Sequence, residues 1–252
     1  EFTGRVEILR KLENWVKEIG RVGASSTSII APRRIGKTVL LDRLVNRIFF
    51  KPEYKVAPFY IKIKREETTL KQFLKEYALT FFRQYIAYCI QDPVLYNREY
   101  IKPEKLLNID SDHKGVRYAQ EYLEQFIERY NENEADDIRN HWDDFIKVPE
   151  KIASFSGTRV AVIIDEFQDM KYYVYDTDEI RDNIIIKKED GSIEESTIPP
   201  IDLTATFDRQ SESRKAPMLV SGSAVTLIFR TVMGGPLGGR FSFQYLKPLS
   251  ID

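Results

Sequence analysis

The chain has 252 residues, with 38 Lys and Arg against 39 Asp and Glu, two histidines and one cysteine. This balance sets up no global field that would recruit nucleic acid or an acidic membrane surface. A lone Cys89 excludes an intrachain disulfide, and His113 and His141, far apart and without cysteine partners, argue against zinc.

No apolar run approaches a membrane span and no leader pattern is visible, so a reducing cytoplasm is the expected setting. The start at Glu1 and the stop at Asp252 suggest a piece cut from a longer protein. Cys89, beside Tyr85, Ile86 and Ile90, is expected to be a small core residue.

In chain order, Val6, Leu9, Leu12, Val16 and Ile19 repeat at helical spacing and predict a helix over 5–19, ended by Gly20 and Gly23. Ser28–Ile30 reads as a short strand. A helix follows from Lys37, with Val39, Leu40, Leu44, Val45 and Ile48 on its inner face. Val56–Ile63 reads as a strand. From Thr69 to Ile90, apolar and aromatic residues at three- and four-residue steps predict a long helix whose aromatic stripe faces a core. Residues 91–113 read as irregular, and helices are expected around 116–130 and 137–154. Val160–Ile164 is a continuous apolar run ending in Asp165-Glu166, the pattern of a buried parallel strand. Asp190-Gly191 between two β-forming runs signals a hairpin. A helix at 201–213, a strand at Met218–Val220, a helix at 224–232 and a strand at 241–246 complete the reading. Alternating strands and helices predict one α/β domain with a parallel sheet, carrying a helical insertion at about 91–157 and a hairpin insertion at about 171–200.

The segment Ala31-Pro32-Arg33-Arg34-Ile35-Gly36-Lys37-Thr38 leaves a strand and enters a helix, the setting that a phosphate-binding loop requires. Backbone N–H groups there can converge on phosphate oxygens, aided by the positive end of the helix dipole. Lys37 supplies an ammonium for β- and γ-phosphates, the Thr38 hydroxyl can ligate magnesium, and Gly36 allows close approach. Val39 completes the cradle. Ala31 stands where the usual pattern has glycine, which is tolerable if φ there stays negative. Downstream, Asp165 at a strand end suits magnesium, and Glu166 suits orienting and deprotonating water. Ser223, just past the strand that begins at Met218, would place a hydroxyl near a γ-phosphate between the strands ending at Ile30 and Asp165, or cap the helix that follows it.

Phe2-x-Gly4-Arg5, the Pro-Arg-Arg-x-Gly-Lys-Thr loop, Ile164-Asp165-Glu166-Phe167-Gln168, Ser221-Gly222-Ser223, Gly239-Arg240 and Lys247-Pro248-Leu249-Ser250 occur in that order. The series resembles the archaeal-type ATPase family, related to STAND signalling ATPases and more distantly to the AAA+ class. The resemblance implies a three-layer P-loop NTPase fold of about five parallel strands with the P-loop strand in the middle. It implies ATP and Mg2+ as cofactors, with Phe2, Gly4 and Arg5 near the adenine. It also implies Ser223 as a sensor, and Arg240 as a γ-phosphate contact in its own or a neighbouring subunit, the alternative being a surface arginine. Relatives continue into a lid or winged-helix region beyond Asp252. The expected function is an ATP-hydrolysing switch or motor within a homo-oligomer or on a protein partner. The alternatives are a nucleotide-gated signalling module, in defence for example, or a DNA-associated ATPase. GTP is disfavoured because no Asn-Lys-x-Asp segment occurs.

Overall fold

The computed structural model describes residues 5–32, 34–132, 137–176, 184–187, 193–196, 199–222 and 237–246. Five strands form one sheet: β1 (Thr27–Ile30), β2 (Val56–Lys62), β3 (Arg159–Asp165), β4 (Met218–Gly222) and β5 (Ser242–Tyr245). Their spatial order is β2-β3-β4-β1-β5, and every neighbouring pair is parallel. The strand leading into the 31–38 loop is therefore not central, as the family resemblance implied. It lies one place in from the edge, and β4 holds the middle. β4 separates the strands ending at Ile30 and Asp165.

Helices α1 (Val6–Arg21) and α2 (Lys37–Phe49) pack on each other and on the sheet. Helices α3 (Leu70–Cys89), α4 (Lys114–Glu132), α5 (Ile138–Phe145) and α6 (Val148–Ser156) form a second group. Alternation along β2 separates the two layers. Phe59 meets the rings of Tyr77 and Phe81 on α3, while Tyr60 shares a cavity with Asp42, Val45 and Phe49 of α2. Among the described residues this is a parallel sheet flanked by helices, compatible with the expected three-layer arrangement. No described helix is long and apolar enough to cross a membrane.

The aromatic stripe of α3 is core. Phe81, Phe82 and Tyr77 pack edge-to-face with Phe145, and Trp142 packs on Phe73, Tyr77 and Phe207. Each such fully buried ring is worth about 1.5–3 kcal/mol relative to exposure. The 91–113 segment is more ordered than expected. Asp92 accepts hydrogen bonds from the N–H groups of Val94 and Leu95, capping a turn at Pro93–Tyr96, and Pro103 opens another at Pro103–Leu107. The expected 137–154 helix is split into α5 and α6, because Pro149 in the first turn of α6 cannot supply the N–H that continuity needs. The 201–213 helix is a 3₁₀ segment, Leu203–Phe207, running into one α turn, Asp208–Ser211. Ile184–Lys187 and Ile193–Ser196 pair antiparallel, as the hairpin signal predicts. The Asp190-Gly191 turn and the 224–232 helix lie outside the described residues.

β2 is an edge strand with its outward polar groups already occupied. The Gln84 side chain accepts from the Tyr60 N–H at 2.7 Å and donates to its carbonyl at 2.9 Å. The Tyr96 hydroxyl donates to the Pro58 carbonyl at 3.1 Å, and Pro58 itself has no N–H to offer. Cys89 is half-buried against Tyr85, and burial pushes its thiol up to about 12, which makes it inert as a nucleophile.

Candidate functional site

The carboxyl ends of β1, β2 and β3 open onto a cavity of about 630 Å³, the usual place for a ligand in a parallel α/β sheet. One wall is Arg34, Gly36, Lys37, Thr38 and Val39. The other is the segment from Lys62 to Glu66, with Glu166 and Asp169 between.

The loop wall is shaped by two left-handed residues. Arg34 has φ 63° and Gly36 has φ 85°, and such turns aim successive N–H groups into a concavity. A Cβ at Gly36 would meet nothing within 4 Å, so conformation rather than close approach demands glycine there. Ala31 is fully buried with negative φ, which is why alanine serves at the loop start. Pro32 is exposed. α2 starts at Lys37 without a side-chain cap, so its first-turn N–H groups and positive dipole end face the cavity. Val39, expected both on the inner face of the helix and in the cradle, is 57% exposed and lines the cavity. Arg5, just before α1, donates to the Ile35 carbonyl at 3.0 Å and so braces the loop from behind. Phe2, Gly4, Arg33 and Ser223 lie outside the described residues.

Lys37 is only 6% exposed, and among the described residues it makes no ion pair. A buried ammonium held beside uncapped helix N–H groups is an anion site in its chemistry. Next to it, the Thr38 hydroxyl donates to Asp165 Oδ2 at 2.7 Å, joining segments 127 positions apart. Asp165 is fully buried; its Oδ1 accepts from the Ser221 hydroxyl and from the Glu166 N–H at 3.1 Å. The first turn of α2 and the ends of β3 and β4 thus converge on one carboxylate. Ser221 drew no separate role in the sequence reading. Its signal was a hydroxyl at the end of a strand bounded on one side by the Asp165 strand.

Glu166 adopts φ 57°, an uncommon left-handed conformation for a non-glycine residue. Its Oε2 accepts from Gln168 Nε2 at 2.7 Å and lies 3.7 Å from the Arg65 guanidinium. Arg65 also donates to Asp169 Oδ2 at 2.8 Å, and Gln168 to Asp169 Oδ1 at 3.2 Å. Gln168 and Arg65 are therefore site residues that motif reading left without a role. Asp42, one turn beyond Thr38, has its carboxyl raised by burial and by the charge of Asp165, an effect Lys62 opposes.

Arg240 is not brought to this cavity. It precedes β5 and binds Asp208 Oδ1 at 3.0 Å, Glu212 Oε1 at 2.6 Å and the Asp208 carbonyl at 3.2 Å. The register Thr27↔Ser242 puts it at the amino ends of the strands, the opposite edge of the sheet from Lys37. A γ-phosphate contact within its own subunit is thereby corrected, since the β-strands separate the two groups. Comparison with models of known protein families and with curated proteins gave no match.

Proposed function

We propose that this chain is a P-loop ATPase domain that binds ATP with magnesium on the Ala31–Thr38 loop and hydrolyses it. The observation that carries the reading is the 2.7 Å bond from Thr38 to Asp165, beside buried Lys37, which makes no ion pair among the described residues. A hydroxyl and a carboxylate at that spacing form an all-oxygen donor set suited to magnesium. Among the described residues no group of three or more His, Cys, Asp and Glu could hold a metal alone, so phosphate oxygens and water would complete the shell. Bound there, magnesium would neutralise phosphate charge.

The protein's own groups divide the remaining work. The loop N–H groups and Lys37 hold the phosphates, Thr38 and Asp165 face the metal, and Glu166 orients the attacking water and takes its proton. Ser221 fixes the Asp165 carboxylate. Arg240, at the far edge, can serve only a neighbouring copy or the fold.

The hydrogen bond and ion pair on Glu166 Oε2 favour a second reading, a nucleotide-gated signalling module with slow hydrolysis, because an oxygen already engaged by Gln168 and Arg65 is less free to take a proton from water. The test is ATP affinity and turnover with magnesium for the wild type and Lys37→Ala. The proposal expects the variant to lose about 100-fold or more in affinity, as for a charge-assisted phosphate contact in a water-excluded site. Tight binding without turnover selects the gated module. A wild-type chain that binds no nucleotide defeats both.

A further inference from the structure

We propose that Lys62 reads the terminal phosphate, so that the site distinguishes a nucleoside triphosphate from a diphosphate; the inference rests on the nucleotide reading above. Lys62 is the last residue of β2 and stands in register with Asp165 on β3. Strand alternation places Tyr60 and Lys62 on the same face, and Tyr60 faces α2. Lys62 accordingly lines the cavity opposite Thr38 and Val39, and its charge acts on the carboxyl of Asp42.

The cations on this wall are not equivalent. Lys64 is committed to Glu76 at 3.1 Å, and Arg65 to Asp169 at 2.8 Å. Lys62, among the described residues, makes neither a hydrogen bond nor an ion pair. The cavity thus presents an uncommitted ammonium on each wall, Lys37 on the loop side and Lys62 across from it.

A diphosphate seated on the loop N–H groups is neutralised by Lys37 and the helix end, and has no phosphate left to cross the cavity. A third phosphate extends from the loop towards Glu166, along the wall that Lys62 occupies. Its added charge meets Lys62 only in the triphosphate state, so the lysine contributes to ATP binding and not to ADP binding. Lys62 also lies at the mouth, where it can engage without rearranging the core.

The experiment is calorimetric titration of ATP and ADP, each with magnesium, into the wild type, Lys62→Met, Lys62→Arg and Lys105→Met. Lys62→Met should weaken ATP about 10-fold or more, the scale of a charge-assisted hydrogen bond, while ADP changes by less than about 3-fold. Lys62→Arg should restore most of the ATP preference, and Lys105→Met, an exposed lysine that does not line the cavity, should leave both affinities unchanged. Because Lys62 is exposed, unfolding without nucleotide should be the same for all four proteins. Equal weakening of ATP and ADP, or no change in either, overturns the assignment while leaving the nucleotide site standing. A wild type that binds neither nucleotide removes the underlying reading, and the assignment with it.

Discussion

The two ends of the parallel sheet treat polar groups in opposite ways. At the amino ends they satisfy one another. Ser26 donates to the Ser211 carbonyl and accepts from the Met218 N–H, Ser213 accepts from the Ala216 N–H, and Arg240 is held by Asp208 and Glu212. At the carboxyl ends the carboxylate of Asp165 is tied down, yet Lys37 and Lys62 face a cavity without partners among the described residues. Both ends look rich in chemistry as sequence. The difference is that one end is closed on itself, while the other carries two ammonium groups that make no ion pair among the described residues.

Three substitutions sharpen or break that contrast. The largest effect is expected from Glu166→Gln at the open end: ATP turnover should fall about 10²–10⁴-fold, the span of general-base catalysis, with ATP affinity retained. Unchanged turnover in a steady-state phosphate-release assay would remove Glu166 from the chemistry. Arg240→Ala, at the closed end, should lower unfolding free energy by about 1 kcal/mol, since its ion pairs are partly exposed, and leave ATP affinity of the monomer unchanged. Lost affinity would mean that the amino ends take part in binding, through a second copy. The smallest effect lies away from both ends. His141 is held down to about 4 by burial first and by Arg129 second, against Asp137 and Asp144, so the fold favours its neutral form. Its contribution is present above the ordinary histidine value near 6.5 and is lost as pH falls from there towards 4. Replacing it by Phe should flatten that acid limb by about 1 kcal/mol, discounted for partial solvent screening, in urea unfolding at pH 7 and pH 5. An unaltered limb would assign the acid sensitivity to other groups.

How much of this could be read beforehand depended on whether local pattern or register decided it. The strands came out within a residue or two because continuous apolar runs such as Val160–Ile164 have few other ways to be buried. The junction of Thr38 with Asp165 followed from two strand ends sharing one edge of a parallel sheet. Strand order did not follow, because nothing in the residues of β1 says which neighbours it has. Arg240 was misplaced for the same reason: a Gly-Arg motif carries no register, whereas two residues before β5 means the amino edge. Ser221, Gln168 and Arg65 act through geometry, and none sits at a spacing that announces it. The two short helices within 93–107 went unread, because the cap and first-turn signals of Asp92-Pro93 and Pro103 sit in a polar stretch without apolar periodicity.

The Gln84 side chain on β2 has a consequence for assembly. By offering one acceptor and one donor to Tyr60, it occupies the place that a strand from another molecule would take. The sheet therefore ends at β2 within a single copy, and two copies cannot join there by extending it. Along this flank, contacts between copies have to be built from side-chain surfaces, and the parallel sheet is kept from growing.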